Sequence, residues 1–143
     1  MSGNHTATSE INKDILTNLL GLNQYKNTTI FYNEKHFVLY PSIDSSSGKF
    51  DSREENLDRY TSRKGHLLIR TSDFLLYLPL TKFIREMINE VNKKYNSKSR
   101  FHRKFKIVID TNKFYIRRVT DKKVIAINHV SEKVIRRDLK STF

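Results

Sequence analysis

Apolar and polar positions follow two different rhythms along the chain, and the change of rhythm divides it into helical and extended stretches. From Ser9 to Leu20 the apolar residues Ile11, Ile15, Leu16, Leu19 and Leu20 return at the spacing of one helical face. Ser9 is placed to cap the start and Gly21 to end it, so the pattern predicts a short amphipathic helix. "TTIFYNEKHFVLYP" then carries β-branched and aromatic residues in two runs. These predict strands over 28–32 and 36–40, turned at Asn33-Glu34 and ended by Pro41. "HLLIRTSDFLLYLP" predicts a second hairpin, 66–71 and 74–78, whose nearly continuous apolar runs suit strands buried on both faces. Leu80, Phe83, Ile84, Met87, Ile88, Val91 and Tyr95 restore the helical period and predict a long core helix over 80–95.

Three further runs, "FKIVID", "KFYIRRVT" and "KVIAINHV", predict strands near 105–110, 113–119 and 123–129. The joints Thr111-Asn112 and Asp121-Lys122 suit tight hairpins, which makes the three an antiparallel meander. Ser131 can cap a last helix reaching Lys140, with Val134, Ile135 and Leu139 on its buried side. Residues 1–8 are small and polar and read as a flexible tail. Residues 42–65 are densely charged with little periodicity and read as a long charged loop. Within it, Asp51 and Glu54 have the spacing of a capping box, which predicts a helical turn near 52–60.

The expected fold is therefore a single α+β domain over 9–143, since 143 residues fit one core. It would hold a mostly antiparallel sheet of about seven strands in two groups. An N-terminal helix, a long central amphipathic helix and a short C-terminal helix would complete it. This element order resembles that of PUR-repeat and Whirly proteins, which bind single strands on curved sheets, and the resemblance implies a surface of that kind.

Composition narrows the chemistry. The absence of cysteine excludes disulfides, thiolate catalysis, iron–sulfur clusters and Cys-based zinc sites. The first residues lack the basic start and apolar run of a signal peptide, and no stretch approaches 18 apolar residues. The expectation is an intracellular protein of cytoplasm or nucleus, or of a host cell, with no membrane association. Few Gly and Pro beside many Lys, Asn and Ile point to an AT-rich genome such as that of a virus or mobile element.

Charge is the most informative feature. The net charge is +12, yet residues 1–92 carry eleven basic and eleven acidic side chains, and residues 93–143 carry sixteen basic and four acidic. The whole excess lies in the basic C-terminal part, as phosphate attraction would require. "KKYNSKSRFHRKFK", residues 93–106, is its densest part, with Lys or Arg at seven of fourteen positions. Its flanks belong to predicted core elements, which leaves Lys98, Arg100, Phe101, His102, Arg103 and Lys104 as candidate ligand contacts. Strand alternation places Tyr115 and Arg117 together on one face, opposite Phe114, Ile116 and Arg118. Lys122 and Lys123 continue the basic surface at the next turn, and Arg136 and Arg137 lie on the predicted last helix.

The leading reading is a small non-enzymatic nucleic-acid-binding protein, DNA or RNA, favouring single strands or structured RNA. Phe101 and Tyr115 would stack on bases, and five to seven neutralised phosphates would give a log–log salt slope of about −4 to −6. A second reading is a protein-interaction module, such as a viral inhibitor or subunit, docking on an acidic protein or ribonucleoprotein. In it, the edge of the hairpin bearing Phe31, Tyr32, Phe37 and Tyr40 would take a protein partner or form a homodimer by sheet addition. A metal-dependent nuclease would need the carboxylates Asp51, Glu54, Glu55 and Asp58, but Arg53, Arg59, Arg63 and Lys64 interleave with them as in surface ion pairs. The five histidines lack zinc-hydrolase spacing, and His36 and His66 read as structural residues within strands. No catalytic residue, metal or cofactor is expected.

Overall fold

The computed structural model describes residues 16–17, 21–26, 29–41, 43–44, 46–53, 56, 63–71, 74–88, 94–96 and 100–130; at 94–96 and 100–102 only the backbone is described. Ten strands and one helix occur among them, in the order β1 (Asn23–Gln24), β2 (Ile30–Tyr32), β3 (His36–Leu39), β4 (Lys49–Arg53), β5 (Lys64–Arg70), β6 (Leu75–Pro79), α1 (Leu80–Met87), β7 (Lys94–Asn96), β8 (Arg100–Asp110), β9 (Lys113–Arg118) and β10 (Val124–Val130). All strands join one sheet, ordered β1-β2-β3-β5-β6-β10-β9-β8-β4, with β7 also paired to β8. His102 is the register partner of both Arg53 and Lys94, so β4 and β7 lie on opposite edges of β8. Every pairing is antiparallel except β3 with β5.

Local chemistry explains the joints. Asn33 Oδ1 accepts from the amides of Lys35 and His36 at 2.9 and 2.7 Å, which forms the turn between β2 and β3. Thr71 does the same for β5 and β6, its hydroxyl accepting from the Phe74 amide at 3.0 Å. Thr111 and Asn112 form the two-residue link between β8 and β9, closed by the pair Asp110 and Lys113.

The fold is mostly sheet with a single helix among the described residues, and this overturns the expected α+β class with three helices. The predicted central helix stops at Met87, because Ile88 is already extended at φ −103°, ψ 117°. Tyr95, assigned to the end of the helical stripe, lies instead in β7, opposite Phe101. Ile88, Asn89, Val91 and Asn92 are weak helix formers, and pairing of 94–96 with β8 wins over extension of the stripe. The predicted N-terminal helix falls outside the described residues apart from Leu16 and Thr17, and the C-terminal helix at 131–140 falls wholly outside them. The charged loop at 42–65 contains β4, so residues 52 and 53 are strand; Asn56 is helical, inside the turn predicted near 52–60, and the rest of 54–62 lies outside the described residues. The ββββα order behind the likeness to PUR-repeat and Whirly proteins is thus interrupted by β4, and the likeness fails.

The main core gathers Ile30, Phe37, Leu39, Phe50, Leu67, Ile69, Leu76, Leu78, Phe105, Ile107, Phe114, Ile116 and Ile127 with Leu80, Phe83 and Met87 of α1. Ile30 on β2 and Phe50 on the edge strand β4 belong to this same core. Phe83 of α1 meets Phe105 of β8 edge to face at 5.0 Å, and Phe105 stacks on Phe50 at 5.5 Å. A second core, Leu16, Leu22, Phe31, Val38, Tyr40, Leu68 and Leu75, lies on the other face of β2, β3, β5 and β6. The near-continuous apolar runs of the first strands therefore do serve two buried faces. Phe31, Phe37 and Tyr40 are core residues, and both β2 and β3 are flanked by neighbours, so their hairpin presents no open edge.

Candidate nucleic-acid interface

In the other half of the sheet the burial alternates. β9 reads exposed, buried, half-buried, buried, half-buried, buried from Lys113 to Arg118, and β4 alternates in the same way. Phe50, Ser52, Arg103, Phe105, Ile107, Phe114 and Ile116 point to the core, leaving Lys49, Asp51, Arg53, Lys104, Lys106, Val108, Tyr115 and Arg117 outward.

Register arranges these side chains in rows. Lys49 is the partner of Lys106, Lys106 of Arg117, and Arg117 of Val124, so three cations stand in line across β4, β8 and β9 beside an apolar end. Directly opposed side chains have Cβ atoms about 4.5–5.5 Å apart, and like charges so placed repel. No ion pair involving Lys49, Lys106 or Arg117 occurs among the described residues. One step to one side, Val108, Tyr115 and Ala126 form an uncharged row. Lys104 on the other side is opposed by Asp51, and beyond the uncharged row Lys113 is opposed by Asp110. Among the described outward side chains, charge without an acidic register partner is thus concentrated in the Lys49–Lys106–Arg117 row, with Arg53 at the end of β4 in addition, and the row lies next to a tyrosine with short neighbours.

The remaining predicted contacts are distributed differently. The stretch 100–106 is not a loop but the first part of the eleven-residue strand β8. Arg103 is 2 % exposed on the core side, opposite Ser52 and two residues from Phe105, which takes it off the outward face; Lys104 is exposed on that face. Arg100, Phe101 and His102 are placed on β8 by their backbone, while Lys98, Arg136 and Arg137 lie outside the described residues. Lys122 is exposed in the β9–β10 turn, and Lys123 reaches Glu86 of α1 at 3.6 Å. Arg118, expected inward, is buried; it grips Asp121 through two nitrogens and donates to the Met87 carbonyl at 3.3 Å. That partner holds the Asp121 carboxyl down at about 2. Lys49 and Lys106 were not among the predicted contacts, because their alignment with Arg117 depends on a pairing between distant segments.

At the β4 end of the cationic row a cleft of about 300 Å³ is lined by Asp44, Ser47, Lys49, Phe50, Asp51 and Lys104. Asp44 Oδ1 accepts from the Ser46 amide and hydroxyl at 2.9 and 2.6 Å, which lowers its carboxyl pKa. Gly48, at φ +73°, lets the turn run so close to β8 that an added Cβ would sit 3.2 Å from the Ile107 carbonyl oxygen.

A second polar cluster lies inside the other half of the sheet. His36 Nδ1 is 3.0 Å from His66 Nε2, and His66 Nδ1 is 2.7 Å from the Tyr77 hydroxyl. Both histidines are buried, and one proton per ring satisfies both contacts in either direction. Burial, reinforced by His36 and Lys64, depresses His66 to about 4, and burial raises Tyr77. No group of His, Asp and Glu able to hold a metal ion occurs among the described residues, and no described helix is long and apolar enough to cross a membrane.

No protein-family model matches the chain, and comparison with curated proteins and with solved structures gives no significant match.

Proposed function

We propose that the chain is a small non-enzymatic nucleic-acid-binding protein that uses the outward face of β4, β8, β9 and β10. The observation that carries this reading is the row Lys49, Lys106 and Arg117, three cations in direct register without an acidic neighbour in the row. Such a row weakens the free sheet, and a line of phosphates relieves it. Tyr115 beside it supplies an aromatic surface of the kind on which bases stack. The segregation of the whole +12 into residues 93–143 supports a polyanionic partner through steering as well as contact.

Titration of a labelled oligonucleotide by fluorescence anisotropy across a salt series tests the proposal. Lys49, Arg53, Lys104, Lys106 and Arg117 together would give a log–log slope of about −3.5 on a single strand. Binding that is absent at low salt, or that does not weaken as salt rises, would refute it.

A further inference from the structure

We infer that the ligand of this face is a single strand with unpaired bases, lying across the β-strands from β4 toward β10. Its phosphates would follow Lys49, Lys106 and Arg117, and its bases the row Val108, Tyr115 and Ala126. The inference rests on the nucleic-acid reading above and goes further in fixing the strandedness and direction of the ligand.

Three observations carry it. The cations form one line: Lys49 to Arg117 crosses two inter-strand gaps, about 9–10 Å, and among the described outward side chains of β4, β8 and β9 only Arg53 is a further cation without an acidic register partner. The uncharged row lies two residues along each strand, about 6.6–7 Å away, which is a lateral offset suited to a base leaving its own phosphate. Tyr115, half-buried on the outward face, stands between the smaller residues Val108 and Ala126, and stacking on its ring requires a base that is not paired.

The experiment compares four labelled probes at fixed salt: a single-stranded DNA 20-mer, its RNA counterpart, the matching duplex, and a heparin oligosaccharide, which has charge without bases. Each is titrated with the wild type, Tyr115→Leu, Arg117→Gln and, as a charge control on the exposed side of α1, Lys82→Gln. Single strands should bind at least tenfold more tightly than duplex and heparin. Tyr115→Leu should weaken single-strand binding about tenfold or more with its salt slope unchanged. Arg117→Gln should lower the slope by about 0.7. Lys82→Gln should leave both unchanged.

Equal affinity for all four probes, with Tyr115→Leu silent, would overturn the single-strand inference while leaving nucleic-acid binding intact. Tighter binding to heparin than to any nucleic acid would overturn both. Circular dichroism of each variant distinguishes lost contacts from lost folding.

Discussion

The two halves of the sheet treat polar side chains in opposite ways. In β2, β3, β5 and β6 both faces are covered, and the polar groups inside, His36, His66 and Tyr77, bond one another. In β4, β8 and β9 one face is open, and its cations stand in register without acidic neighbours in their row. A buried polar group left unsatisfied costs about 1–3 kcal/mol, so the covered half must resolve its polarity internally. An open face in high dielectric can leave like charges adjacent at a cost of a few tenths of a kcal/mol. The first half is thus built for stability, and the second holds a small unfavourable term that a ligand can remove.

Both halves still depend on one core, and the largest effect should come from cutting it where they meet. Phe105 is wholly buried and contacts Phe50 from the edge strand and Phe83 from α1. Phe105→Ala should lower the free energy of unfolding by about 3–5 kcal/mol, measured by urea denaturation. A loss below about 1 kcal/mol would mean that β8 and α1 do not share a packed core.

The covered half should show itself through pH. His66 titrates at about 4 in the folded protein against an ordinary 6.5. Between these values the unfolded chain binds more protons, so stability is fully present above about pH 6.5 and is lost as pH falls toward 4. The loss should be about 3 kcal/mol, and it should level off below pH 4 as far as this group is concerned. The Asp121 carboxyl, held at about 2 by Arg118, loses its partner at lower pH, as protonation proceeds below its ordinary 3.8. Urea midpoints at half-unit steps from pH 7 to 4 measure the slope, and His66→Leu should flatten it.

How far the sequence revealed these halves depends on the range of the interactions involved. Alternation placed Tyr115 with Arg117 and buried Arg118, because parity within one strand is local. The same parity puts Arg103 with Phe105 and Ile107, so its burial was available from the sequence although the density of charge suggested exposure. β4 has Phe50 as its one large apolar residue, and its strand state depends on pairing with β8 more than fifty positions later. The end of α1 at Met87 likewise depends on β7 finding β8. The site inherits this limit, since Lys49 and Lys106 become neighbours of Arg117 only once the strand order is known.

The smallest effect in free energy separates the two halves most sharply. Lys106 is opposed by Lys49 on one side and by Arg117 on the other, so Lys106→Gln removes two repulsive neighbours at once. It should raise the free energy of unfolding by about 0.2–1 kcal/mol at low salt, and the gain should vanish in high salt as the charges are screened. The same substitution should weaken oligonucleotide binding and reduce its salt slope. A surface lysine of ordinary function would give neither the gain in stability nor the loss in binding, and one serving only the fold would give a loss of stability. Opposite signs for stability and binding in one variant are what a row of cations kept for a ligand requires.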